Sequence, residues 1–114
     1  MEKRIEKIVS VLDSKKAENI QVFDMRDRDY FVNGVVIATT MGERHGISLL
    51  EYLKDELKKD GESFLNIDQS DEWTILDMGD LLIHLMTPSY RAKYNLEEFL
   101  DNLEKLRETK EEEE

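Results

Sequence analysis

Trp73-Thr74-Ile75-Leu76-Asp77-Met78-Gly79-Asp80-Leu81-Leu82-Ile83-His84-Leu85-Met86 is the stretch that decides the fold. Two β-prone runs, Trp73 to Leu76 and Leu81 to Met86, flank the turn residues Asp77-Met78-Gly79-Asp80. Asp accepts hydrogen bonds from nearby backbone amides and Gly takes positive φ without strain, so the tetrapeptide reads as a turn. A connection this short cannot hold a crossover helix, and the two strands must therefore pair antiparallel as a hairpin. Pro88 stops the second strand, since it offers no N–H to a ladder.

Upstream, Ile5, Ile8, Val9 and Leu12 recur at helical spacing between charged residues. Glu2 to Asp13 is predicted to be an amphipathic helix ending at Ser14-Lys15-Lys16. Ile20 to Phe23 predicts a short strand, followed by the charged turn Asp24 to Asp29. Tyr30-Phe31-Val32 and Val35-Val36-Ile37-Ala38 then supply aromatic and β-branched residues around Asn33-Gly34. Asn-Gly could close a hairpin, but the near-continuous apolar run from Val35 to Ala38 points to a strand covered on both faces, with Asn33-Gly34 as a bulge or bend.

Ile47, Leu50, Leu53 and Leu57 line one face of a second helix, from about Glu43 to Lys59, which Asp60-Gly61 terminates. Ser63 to Ile67 reads as a weaker strand. Asn95 with Glu98 resembles a capping box and starts a last helix carrying Leu96, Phe99, Leu100, Leu103 and Leu106. The order α-β-β-α-β-β-β-α predicts one α/β domain over residues 1–108, a mixed β-sheet of about five strands flanked by helices. Residues 109–114 read as a disordered acidic tail.

The chain of 114 residues carries 16 Lys and Arg against 27 Asp and Glu, a net charge of -11, of which Glu111 to Glu114 supply four charges. Such a field repels the phosphates of nucleic acids and membranes, so a basic protein suits it better as a partner than bare RNA. With no cysteine, disulfides, thiol nucleophiles and thiolate metal sites are excluded. The charged amphipathic start contains no apolar run long enough for a signal peptide or a membrane span, which makes the cytoplasm the expected location.

Asp77, Asp80 and His84 crowd one hairpin, and two carboxylates beside an imidazole could hold a divalent metal or exchange protons. Asp and Gly are ordinary turn residues, however, and no spaced His partner accompanies His84, so no metal is expected. His45, in Gly42-Glu43-Arg44-His45-Gly46, lies where free helix N–H groups could receive an anion. Phosphate-loop spacing is missing there, and no nucleotide or other cofactor is expected. Trp73, Tyr90, Arg91 and Tyr94 are the residue types that dominate interfaces, and they gather near the ends of the final hairpin. No nucleophile, base and orienting group can be assembled from two histidines, so a binding module is favoured over an enzyme.

The run from Trp73 to Met86, followed by Arg91, Tyr94 and Leu96-Glu97, resembles the signature of the ribosomal silencing factor (Iojap-related) family. That signature is a Trp, an apolar strand, Asp-x-Gly-Asp, an apolar strand with His, then Arg and Tyr-x-Leu-Glu. Lys15-Lys16-Ala17-Glu18-Asn19-Ile20 and Val36-Ile37-Ala38-Thr39 with Glu43-Arg44-His45 are similar to the family pattern upstream, and the resemblance spans about Ile5 to Phe99. In the family, Asp-Tyr-Phe-Val runs directly into Ile-Ala-Thr-Gly. Here Asn33-Gly34-Val35 intervenes and Thr40 stands where Gly is common.

The resemblance implies a fold similar to nucleotidyltransferases without a transferase role, and a homodimer when free. It also implies binding to a conserved ribosomal protein of the large subunit, at the face where the small subunit docks, so that joining is blocked by bulk. Trp73, Asp77, Asp80, His84, Tyr90, Arg91 and Tyr94 are the expected partner-binding residues, with the acidic pair steering a basic partner and the aromatics forming the desolvated centre. Two alternatives stand beside this reading. One is a nucleotidyltransferase-like enzyme using Asp77 and Asp80 for a metal, the other a generic interaction domain exposing the last helix.

Overall fold

The computed structural model describes residues 2–26 and 32–100. Its elements are α1 (Glu2–Ser14), β1 (Glu18–Asp24), β2 (Gly34–Thr39), α2 (Glu43–Lys59), β3 (Asn66–Gln69), β4 (Trp73–Asp77), β5 (Leu81–Met86) and α3 (Pro88–Tyr94), with residues 96–100 again helical. The five strands form one mixed sheet in the order β1-β2-β5-β4-β3. β2 and β5 run parallel at its centre, and the three other neighbouring pairs are antiparallel. The predicted mixed α/β sheet of five strands is the observed one.

Strand alternation divides the core between two faces. Val36 and Ala38 of β2 and Leu81, Ile83 and Leu85 of β5 face α1 and α2, where Ile8, Leu12, Leu49, Leu53 and Leu57 close the larger cluster. Val35, Ile37, Leu82 and Met86 face the other way, toward Tyr90, Leu96 and Leu100. Every residue of β2 is buried, as expected of a strand covered on both faces. Gly34 opens it because a Cβ there would lie 2.8 Å from Leu81 Cδ2. The bend falls at Val32 and Asn33, before the strand begins, while Tyr30 and Phe31 lie outside the described residues.

The β4–β5 hairpin forms as read, with Trp73 opposite Met86 and Asp77 opposite Leu82. Gly79 holds φ at +90°, where a Cβ would be strained, and Met78 N–H donates to Leu81 O across the turn. β3 lies a few residues later than Ser63 to Ile67. Its ends are set by pairing Asn66 with Asp77 and Gln69 with Thr74, while Phe64 packs against the larger cluster instead of joining a ladder. α2 has the predicted bounds, but its buried stripe runs through Gly46, Leu49, Leu50, Leu53 and Leu57, leaving Ile47 exposed.

Pro88 does more than stop β5: it opens α3. Thr87, in extended geometry, caps this helix by accepting a hydrogen bond from Tyr90 N–H, and Pro88 occupies the first turn, where its missing N–H costs nothing. Asn95 ends α3 in the left-handed conformation, φ 41° and ψ 53°, so it closes one helix before the next begins at Leu96. The Asn95–Glu98 pair does interact, by Asn95 Nδ2 donating to Glu98 Oε2 at 2.6 Å. Leu103, Leu106 and the acidic tail at 109–114 lie outside the described residues. Among the described residues no helix is long and apolar enough to cross a membrane.

Candidate docking surface

The hairpin separates the sequence-nominated residues by position. Trp73 opens β4 at the end nearest α3, and its ring lies 6.2 Å from that of Tyr90, which in turn lies 4.5 Å from Tyr94. Both pairs are tilted, a favourable arrangement for aromatic quadrupoles. The three rings form a ladder from the half-buried Trp73 to Tyr94, which is 58% exposed with Lys93 over its ring. Burial, with Tyr94 and Glu72 adding to it, raises the Tyr90 hydroxyl above its ordinary value, so Tyr90 stays a neutral donor.

Asp71 and Glu72 border this ladder. Both are exposed, neither forms an ion pair among the described residues, and Thr87 N–H donates to Glu72 O at 2.9 Å, pinning the acidic segment beside the start of α3. The result is a partly apolar aromatic patch with an acidic rim.

Asp77 and Asp80 stand at the far end of the hairpin. Asp77 Oδ1 accepts the Gly79 N–H at 2.9 Å, the local turn bond expected of an Asp before Gly. Asp80 is engaged by α1: Arg4 Nη1 and Nη2 donate to its two oxygens at 2.6 and 3.0 Å, while Arg4 also grips Glu62. The guanidinium of Arg4 holds the Asp80 carboxyl below its usual range, and the two carboxylates raise Arg4. Arg4 and Glu62 were not singled out in the sequence, because the partners are 58 and 76 positions from Arg4. Among the described residues no group of three or more His, Cys, Asp and Glu could hold a metal ion.

His84 is half-buried and Arg91 is held inside. His84 lies in β5 between Ile37 and Ile75 and shares the face of Leu82 and Met86. Its Nε2 has no hydrogen-bond partner among the described residues, and burial lowers its pKa to about 4, which keeps the ring neutral at pH 7. Arg91 is 7% exposed and donates to Glu97, to Asn19 O at 2.7 Å, to Thr39 Oγ1 at 2.7 Å and to Gln21 Oε1 at 2.8 Å. It ties α3 and the following segment to β1 and β2. His45 is equally committed: Nδ1 accepts Met41 N–H at 2.9 Å, and Nε2 lies 2.8 Å from Lys15 O, fixing the start of α2 to the α1–β1 turn.

Comparison with known proteins gives a consistent result. The whole chain, residues 1–114, matches the family described as "Ribosomal silencing factor during starvation". It is 34% identical over 102 residues to the mouse "Mitochondrial assembly of ribosomal large subunit protein 1", covering 82% of this chain and 43% of that protein. It is 31% identical over 96 residues to the chloroplastic protein Iojap of Arabidopsis thaliana, covering 83% of this chain and 40% of the relative. The chain thus spans about two fifths of these organellar relatives. Against the ribosomal silencing factor RsfS of Haemophilus influenzae it is 28% identical over 95 residues, 82% of this chain and 93% of the other. Crystal structures of proteins from Chromobacterium violaceum and Bacillus halodurans share the fold, with TM-scores of 0.82 and 0.77. The former is 22% identical and covers 88% of this chain and 85% of its own; the latter is 23% identical and covers 87% and 94%. The signature read around the β4–β5 hairpin and the match along the full length agree: the chain belongs to the ribosomal silencing factor (Iojap-related) family.

Proposed function

We propose that the chain binds the large ribosomal subunit through a basic ribosomal protein at the subunit interface and, by occupying that surface, prevents the small subunit from joining. The mouse relative is named for assembly of the large subunit and the Haemophilus relative for ribosomal silencing, so a large-subunit partner accounts for both names. The observation that carries the contact site is the ladder of Trp73, Tyr90 and Tyr94 beside the acidic Asp71 and Glu72. Aromatic rings lose little side-chain entropy on docking and supply large desolvated area, while rim carboxylates steer a basic partner. Asp77 keeps a half-buried carboxylate at the other end of the hairpin, and Asp80 offers what Arg4 leaves uncovered. Arg91 and His84 act by holding this surface in shape. A steric block needs occupied volume and no chemistry.

Pelleting with isolated large subunits tests the site. Tyr94 is exposed enough for Tyr94→Ala to leave the core intact, and its loss together with Trp73→Ala should weaken co-sedimentation by about thirtyfold, the value of a hot-spot anchor. Binding should also weaken with added salt as the rim charges are screened. Undiminished co-sedimentation of the double variant would move the contact elsewhere.

A further inference from the structure

β1 is an edge strand, paired only with β2 among the described residues. The outer side of such a strand presents backbone N–H and C=O groups without a ladder partner, and proteins usually cover or blunt it. Here a concavity lies on each side of that edge. On the α1 side an open groove of about 640 Å³ runs between helix and strand, floored by Ile5, Val9, Ala17, Ile20 and Val22. On the α3 side a second one, of about 880 Å³, is lined by Glu18, Asn19, Gln21, Ala92, Asn95 and Glu97 among others. The first is mainly apolar and the second mixed in character.

The charge around the apolar groove is of one sign. Glu6 and Asp13 stand on its α1 wall and Glu18 begins the strand, and none of the three is in an ion pair among the described residues. Two of the three cations of α1 are turned to the opposite flank, Arg4 toward Glu62 and Asp80, Lys7 toward Glu56 and Asp60. Val22, which should be inside a finished sheet, is 44% exposed at the groove.

We propose that the β1 edge receives an extended basic segment of a partner protein as an added strand. Side chains of a strand alternate between its two sides, so the occupant places aliphatic residues at every second position in the α1 groove. Lys or Arg at the intervening positions reach toward Glu18 in the second concavity. A second copy of this chain is disfavoured, because each copy carries a net charge of -11 and would bring its own acidic rim to the same place. The bulge between Glu18 and Gln21, and the use of Asn19 O by Arg91, put the regular pairing along Gln21 to Asp24. This surface lies at the edge opposite β3 and is independent of the aromatic ladder.

The test is a nuclear magnetic resonance titration of the full chain with two short capped peptides of equal composition, one alternating Lys and Val, the other with Lys and Val in separate blocks. The alternating peptide should bind about tenfold more tightly, with shifts centred on Glu18 to Asp24, Ile5 and Val9 and with slowed amide exchange in β1. Val22→Lys should remove about that advantage, and Tyr94→Ala should leave it unchanged. If Val22→Lys disturbs folding, the exposed pair Glu6→Lys and Asp13→Lys carries the same expectation. Equal binding of both peptides, no binding, or shifts confined to the β4–β5 hairpin would overturn the proposal. So would a sedimentation result in which Val22→Lys dissociates a dimer yet leaves the peptide titration unaltered.

Discussion

Replacing Arg91 with Ala should unfold this protein more readily than any surface change of comparable chemistry. Arg91 is 7% exposed, and its guanidinium joins Glu97, the Asn19 carbonyl, the Thr39 hydroxyl and the Gln21 amide oxygen. Breaking a buried ion pair by removing one partner costs about 3–5 kcal/mol, because the remaining charge is left without compensation. Glu97 keeps 22% of its side chain exposed, so water recovers part of that loss, and about 3 kcal/mol is expected. Against a total of about 5–15 kcal/mol this is a large fraction, and it corresponds to a fall in Tm on the order of 15 °C. Urea unfolding followed by the fluorescence of Trp73 and by circular dichroism would read it. Arg91→Lys should recover less than half, since an ammonium cannot reproduce the planar fork. A double-mutant cycle with Glu97→Gln should show coupling of about 1 kcal/mol or more. A loss below about 1 kcal/mol for Arg91→Ala, or a binding defect without loss of stability, would refute the assignment of Arg91 as a clamp and return it to the contact surface.

Two further outcomes concern titratable groups. The folded pKa of His84 lies at about 4, below its ordinary value, so the unfolded chain takes up the proton first and stability falls as pH drops through the interval between them. His84→Leu should abolish about 2 kcal/mol of the stability lost between pH 7 and pH 5, measured as the difference in urea unfolding from the parent. Asp80 is depressed by Arg4, so its contribution is present at neutral pH and disappears as pH falls from about 4 through the lower folded value. Because its side chain is 41% exposed, Asp80→Asn should cost only about 1 kcal/mol at pH 7, and the gap to the parent should close in acid.

The sheet was legible where local chemistry and global fold agree. Asp77 and Gly79 specify the hairpin through backbone geometry, and Asp60-Gly61 ends α2 where the apolar stripe stops. β3 was shifted because Asn66 to Gln69 are strand residues only by virtue of β4 beside them. Thr87-Pro88 carries a second signal, a cap and a first helical residue, which the reading of Pro88 as a strand stop does not use. The aromatic ladder could be anticipated from residue type, since Trp73, Tyr90 and Tyr94 all flank the hairpin. What the sequence does not show is that Asp80 and Arg91 are engaged by residues remote in the chain. Arg4 is 76 positions from Asp80, and Gln21 is 70 from Arg91, distances over which a linear pattern carries no pairing information. That β1 is an edge strand among the described residues likewise appears only once the strand order is known.

On the proposed function, bulk placed on the large subunit keeps the two ribosomal halves apart. Purified chain should be titrated into isolated large subunits before small subunits are added, and the yield of joined ribosomes read on a sucrose gradient at fixed salt. The chain should travel with the large subunits and joined particles should decline in proportion to the fraction occupied, with Tyr94→Ala requiring a higher concentration for the same effect. A full yield of joined ribosomes at saturating chain, or a chain that stays at the top of the gradient, would contradict it.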